Sequence, residues 1–319
     1  MNYSFLRTFC IFLLIFLGSC DFGSDSDTLV ACTKTDCNCS DFQTQEEAQI
    51  VFDQFEGDPF ALDSDGNGLV CQNLPKTPDL NSKVSTNPLM KFGNPSNSSN
   101  KDLSNYLLRK SQYIVSYNCS KGIPNWVAWH LNKTWIGSVK RSDDFRSDPT
   151  LPEGCVTVKP NDYRGSGFDK GHITPSADRT NTQENNSATF LMTNMIPQAP
   201  ANNREVWREL EEYSRDLVFE GKELYIIAGG ERTQSTIGNG KISVPMSTWK
   251  IIVVLDSPRQ TIDENTRIIA VNIPNDQSVA QTDWEDYIVS VDAIENVTGF
   301  DFFSDISQKI ERKIEEKTD

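Results

Sequence analysis

Strand-like and helix-like patterns are concentrated in the C-terminal two-thirds of the chain. Tyr113–Tyr117 alternates apolar and polar residues, and Asn125–Leu131 is rich in aromatic and β-favouring side chains. Glu223–Gly230 carries Leu-Tyr-Ile-Ile-Ala ahead of paired glycines that suit a sharp turn. Lys250–Leu255 and Arg267–Ile273 are β-branched runs of the length expected for buried strands. Between these runs, Asn203–Phe219 reads as the best helix, with Val206, Leu210, Tyr213 and Leu217 recurring at helical spacing and expected to face a core. The mixture predicts an α+β domain with a central, mainly antiparallel sheet and flanking helices.

The N-terminal third is organised differently. Phe9–Leu17 is an apolar run behind Arg7, too short for a membrane span of about 20 residues and suited to an export signal. It ends in Leu17-Gly18-Ser19-Cys20, which resembles a bacterial lipobox. That resemblance implies loss of residues 1–19, lipidation of Cys20, and an exported chain anchored to a membrane of the bacterial envelope on its periplasmic or cell-surface side. Residues 20–36 read as an acidic tether, 37–76 as a compact cysteine-bounded segment, 77–86 as a linker and 87–308 as the large domain. Residues 309–319 form a charged tail of alternating sign, expected to be solvated.

Eight cysteines in an exported chain point to disulfides, because no CxxC pair or nearby histidine offers a metal cage. Of the connectivities open to the six beyond the N-terminal segment, we expect Cys39 with Cys71 and Cys119 with Cys155, leaving Cys32 and Cys37. The formal net charge of −15 weighs against broad attraction to polyanions. It leaves room for a local cationic groove or a bound metal.

Asp63-Ser64-Asp65-Gly66-Asn67-Gly68 places oxygen ligands at alternate positions around a glycine bend, as at the start of an EF-hand loop. Cys39, Phe42, Glu47-Ala48-Gln49 and Phe52 before it, and Cys71 and Leu74-Pro75 after it, resemble the Excalibur calcium-binding domain. The resemblance implies Ca²⁺ held by Asp63, Asp65 and Asn67 in a disulfide-stapled module. Gln72 stands where that family carries glutamate, so binding is expected to be weak.

The chain has two histidines. His130, in Trp126-Val127-Ala128-Trp129-His130-Leu131, has a strand-like aromatic setting that favours a structural role with a backbone partner. His172 closes Phe168-Asp169-Lys170-Gly171-His172. A second piece is Thr193-Asn194-Met195-Ile196-Pro197-Gln198, and a third is the helix, where Asn203, Trp207, Glu211 and Arg215 recur four apart. Taken alone, Glu211 and Arg215 would be a surface i,i+4 pair.

These segments, in this order, resemble the non-specific DNA/RNA endonucleases of the ββα-metal type. The similarity extends from Asn87-Pro88 through Gly93-Asn94-Pro95-Ser96 to Thr298-Gly299-Phe300-Asp301-Phe302-Phe303. It implies hydrolysis of DNA and RNA with His172 as general base, Asn203 as ligand of Mg²⁺ (or Mn²⁺), and Glu211 holding metal-bound water. It further implies Asn194 as an orienting residue, and Arg215 and Arg141 as phosphate contacts. Lys170 stands where the family usually has arginine, a point charge in place of a planar fork. Were Lys170 to impair the reaction, a nucleic-acid-binding or adhesion protein of the envelope would remain. Nothing in the sequence identifies an inhibitor protein.

Overall fold

The computed structural model describes residues 38–42, 45, 48, 52, 60–64, 70–74, 88–257 and 260–319. Cys20, Asp65, Asn67, the export signal, the tether and the linker lie outside them. The chain divides into two compact units, Met1–Asn81 and Ser82–Asp319.

The described part of the first unit is a small apolar cluster of Phe42, Ala48, Leu62, Val70 and Cys71. Cys39 and Cys71 are bonded, with Cα atoms 5.4 Å apart. Asp63 is half-buried beside this cluster's Leu62.

In the second unit the strands are β1 (Tyr106–Arg109), β2 (Ile114–Asn118), β3 (Ile123–Leu131), β4 (Asp169–His172), β5 (Met195–Gln198), β6 (Glu223–Ile237), β7 (Ile242–Leu255) and β8 (Arg267–Pro274). The helices are α1 (Gln183–Ala188), α2 (Trp207–Phe219, entered through a π turn at Asn202–Val206), α3 (Val291–Thr298) and α4 (Gln308–Glu315). Six strands form one antiparallel sheet in the order β1-β2-β3-β6-β7-β8, while β4 and β5 pair separately.

Both faces of the large sheet are covered, which explains its near-continuous apolar strands. Alternation along β7 sends Ile252 and Val254 into one core with Trp207, Leu210 and Leu217 of α2. Ile251, Val253 and Leu255 enter a second core with Val291, Ile294, Phe302 and Ile314. Cys119 and Cys155 are bonded, tying the end of β2 to the following loops.

Three expectations are corrected. The paired glycines do not turn the chain, because β6 runs on through Ile237. Gly229 and Gly230 are needed for close approach: a Cβ on Gly229 would lie 2.4 Å from the Asn125 carbonyl oxygen, and one on Gly230 2.6 Å from Pro245 Cβ. The C-terminal tail is not simply solvated, since Ile310 and Ile314, four residues apart within its run of charges, pack into the second core. His130 is structural, but its Nε2 meets the Glu223 carboxylate and not a backbone group; its ring also packs 4.7 Å from Tyr225.

Candidate active site

Strands β4 and β5 present His172. Their register pairs Asp169 with Gln198, Lys170 with Pro197, Gly171 with Ile196 and His172 with Met195. Alternation puts Lys170 and His172 on one side of the ribbon. There the imidazole makes edge contacts with Phe145 at 5.4 Å and Phe190 at 4.8 Å. The same two rings carry cations: Lys170 Nζ lies 4.6 Å from the Phe145 centroid and Arg141 Cζ 4.8 Å from that of Phe190. Arg141 is steadied by donating to Ser176 Oγ at 2.6 Å. Burial, with the charges of Arg141 and Lys170, lowers the His172 pKa to about 3. The ring is therefore a neutral, proton-accepting imidazole across the physiological range.

The segment around the histidine is held by shape and by hydrogen bonds. A Cβ on Gly171 would lie 1.8 Å from Gln198 Oε1, so only glycine lets the Gln198 side chain cross the ribbon there. Asn194 grips the chain just past His172, accepting from Thr174 N at 2.9 Å and donating to Thr174 O at 2.9 Å. It is fully buried and its hydrogen bonds go to the backbone of this segment and of Thr189.

The polar stripe of the helix depends on the π turn. Residues 203 and 211 are eight apart, and a regular helix would leave them about 80° apart around its axis. The wide turn at Asn202–Val206 absorbs one residue, about 100° of rotation, and returns Asn203 to within about 20° of Glu211. Asn202 anchors the turn to the sheet, donating to Thr248 Oγ1 at 3.0 Å and Pro274 O at 2.9 Å. Asn203 in turn donates through Nδ2 to Asp169 Oδ2 at 3.0 Å. Arg204 forks onto the same carboxylate at 2.7 and 2.6 Å. Asp169 thus ties the histidine strand to the helix entrance and fixes the amide. The Asn203 Oδ1 accepts no hydrogen bond from the described residues, which fits a hard cation seeking an oxygen ligand.

Glu211 and Arg215 are not a surface pair. Arg215 donates through Nη1 to Asp178 Oδ1 at 2.9 Å, and its side chain is 15% exposed. Asp178 also accepts from Trp129 Nε1 at 3.0 Å. Arg215 is thus anchored through Nη1 to Asp178. Lys250, 1% exposed on β7, places Nζ 4.0 Å from the Trp207 centroid. Burial raises the Glu211 pKa against the opposing pull of Lys250 and Arg215. Burial lowers that of Lys250 against the pull of Glu211 and Asp178.

Sequence reasoning placed His172, Lys170, Asn194, Asn203, Glu211, Arg215 and Arg141 in one domain. It passed over Asp169, Asp178, Lys250 and the aromatic pair Phe145 and Phe190. A signal existed for two of these: Asp169 lies within the histidine motif, and Lys250 is a lone charge heading the run Ile251-Ile252-Val253-Val254-Leu255.

Residues 85–309 match the DNA/RNA non-specific endonuclease family. A nuclease of Nostoc sp. (strain PCC 7120) is 53% identical over 255 residues, covering 78% of this chain and 92% of its own length. The human mitochondrial nuclease EXOG is 28% identical over 207 residues, covering 60% of this chain and 55% of its own. The crystal structure of EndoG in complex with EndoGI superposes with a TM-score of 0.59 at 26% identity, covering 69% of this chain and 92% of that one. Fold and site define a nucleic-acid-hydrolysing enzyme, of a kind that generally depends on a divalent metal. The chain belongs to the DNA/RNA non-specific endonuclease family.

Proposed function

We propose that this chain is a magnesium-dependent, sugar-non-specific endonuclease in which His172 is the general base and Asn203 the side-chain ligand of the metal. The observation that carries the reading is Asp169. It grips the Asn203 amide at 3.0 Å from a position three residues before His172, so base and ligand are set by one short strand. Asn203 and Glu211, aligned by the π turn, would hold the ion, Glu211 through water. Bound there, magnesium supplies charge neutralisation on the scissile phosphate and the departing oxygen.

The chain's own residues do the rest. The neutral His172 ring takes the proton of the attacking water, its basicity rising when a bound phosphate offsets the charges of Arg141 and Lys170 that depress it. Arg141, whose side chain is 49% exposed, and the half-buried Lys170 offer positive charge to the phosphate from their aromatic seats. Arg215, committed to Asp178, supports the ionised form of Glu211. Contacts confined to phosphate and metal carry no base information, which accounts for tolerance of sequence and of sugar.

The test is cleavage of plasmid DNA and of RNA. Both are degraded with magnesium and survive with chelator, and both survive in His172→Ala and Asn203→Ala proteins whose circular dichroism is unchanged. Intact substrate with the wild-type protein would favour a binder in place of an enzyme, and full activity in His172→Ala would break the mechanism.

The rest of the reading is an exported lipoprotein anchored through Cys20, with Asp63, Asp65 and Asn67 binding calcium. Incorporation of labelled palmitate in cells, absent from Cys20→Ala, tests the anchor. Because the related EndoG is seen with EndoGI, a protein inhibitor is a natural partner to seek by co-purification with His172→Ala.

A further inference from the structure

A second group of charges lies in the other core layer, away from the nuclease site. Asp292 and Glu295, one turn apart on α3, and Glu315, at the end of α4, bring carboxylate oxygens within 4.8 Å of one another. Glu315 is 6% exposed, and its Oε1 is buried without a hydrogen-bond partner among the described residues. Glu295 has one donor, the Phe302 backbone N–H at 2.6 Å. None of the three carboxylates forms a salt bridge among the described residues.

The packing does not let the cluster relax. Ile314, next to Glu315, is fully buried with Val291, Ile294, Phe302 and Phe303, so the last turn of α4 cannot swing away without exposing it. Beyond the helix, Asp319 is held in the fork of Arg267. The neighbouring charges do not help: Asp301 and Glu311 add more of the same sign around Glu315, and Arg312 is exposed and donates to the Gln308 carbonyl. Three carboxylates, one of them desolvated, are strongly repulsive without a counter-charge.

The chemistry of the donors selects the counter-charge. All are hard carboxylate oxygens, with no nitrogen or sulfur ligand. Oxygens on opposite sides of a calcium ion, each about 2.3–2.6 Å from it, lie about 4.6–5.2 Å apart. Oxygens within 4.8 Å of one another can therefore share one calcium coordination sphere. Magnesium gives up its water reluctantly and is seldom held by carboxylates of the protein alone, whereas calcium accepts such a set.

We propose that Asp292, Glu295 and Glu315 form a calcium site that ties the C-terminal helix α4 to α3. It is separate from both the catalytic metal and the loop at Asp63. Calcium there neutralises the cluster and locks the C-terminal segment onto the second core.

The test uses the full chain carrying Asp63→Ala and Asp65→Ala, so that the loop does not contribute. Calcium is titrated calorimetrically, and the melting temperature is read with and without about 1 mM calcium. This parent should bind one more calcium ion than the same protein with Glu315→Gln, and calcium should raise its melting temperature but not that of Glu315→Gln. Asp292→Asn, a change at a half-buried position that keeps the fold if Glu315→Gln does not, should weaken the added site by about 10-fold or more. DNA cleavage in magnesium should be unchanged in Asp292→Asn. Equal calcium stoichiometry and affinity in the parent and Asp292→Asn, or a parent melting temperature indifferent to calcium, would overturn the proposal.

Discussion

Two clusters of buried charge on opposite faces of one sheet are solved in opposite ways. On the nuclease face, Asp178 and Glu211 are answered by Arg215 and Lys250. The cost of burying the lysine is offset by the Trp207 ring and by the two carboxylates. On the other face, Asp292, Glu295 and Glu315 form no salt bridge with a basic group among the described residues, and burial together with the neighbouring acids pushes the Glu315 carboxyl up to about 8. The contrast teaches where a chain of net charge −15 places its cations. Arg141, Lys170, Arg204, Arg215 and Lys250 gather around the histidine ribbon and the helix entrance, so a local cationic site coexists with an acidic total.

The sharpest way to break the comparison is to make the first cluster resemble the second. Lys250→Met keeps the volume and the stacking on Trp207 but leaves Glu211 and Asp178 with Arg215 alone. Removing one partner of a buried charge set costs about 3–5 kcal/mol. We expect that loss in urea denaturation, with much of it recovered in Lys250→Met/Glu211→Gln. Additive effects in the double variant would show that the two groups are not coupled.

A smaller effect is expected at Asp169, where the balance is between an anion and the amide it holds. Asp169→Asn removes the charge that seats Arg204 and lets the Asn203 amide turn over. Changes to such supporting groups typically cost about 10–100-fold in metal affinity. The magnesium concentration for half-maximal cleavage should rise by that factor while the rate at saturating magnesium changes less. An unchanged magnesium dependence would separate Asn203 from the metal.

How much of this was legible in the sequence follows from the range of each interaction. The strands and the main helix were readable because period-two and period-3.6 patterns are local. The nuclease motifs were readable because Asp169-Lys170-Gly171-His172 is continuous. Asp178–Arg215 and Lys250–Trp207 were not, because they join segments 37 and 43 residues apart that meet only through sheet register. The extension of β6 past its glycines was hidden for a related reason. A glycine signals missing bulk, and only the partner, here Asn125 or Pro245, tells whether the gap serves a turn or an approach. The tail was misjudged because two isoleucines four apart are a weak signal within a run of charges.

The histidine gives a pH test of the balanced side. The folded ring takes its proton near pH 3, whereas the unfolded ring does so near 6.5. As pH falls, the unfolded chain gains the proton first, so the stability owed to the neutral ring is complete above 6.5 and drains away toward 3. Between pH 6.5 and 5 this amounts to about 2 kcal/mol. Metal-free protein should lose that much in urea denaturation over the interval, and His172→Gln, which does not titrate there, should lose markedly less. Equal losses in both would place the titration elsewhere.

The smallest expected effect is at Lys170, and it asks whether a cation on the nuclease face works by charge alone. Its ammonium lies 4.6 Å from the Phe145 centroid, and a guanidinium can occupy the same face while offering phosphate a planar fork. Lys170→Arg keeps the charge beside His172, so the state of the base is preserved and only phosphate geometry changes. We expect kcat/KM on plasmid DNA to rise no more than about 5-fold, less than the tenfold that 1.36 kcal/mol represents. The salt dependence should be unaltered, since the number of phosphate charges neutralised is the same. A loss of tenfold or more in Lys170→Arg would mean that the compact ammonium is fitted to the site, and that the balance around His172 depends on shape as much as on charge.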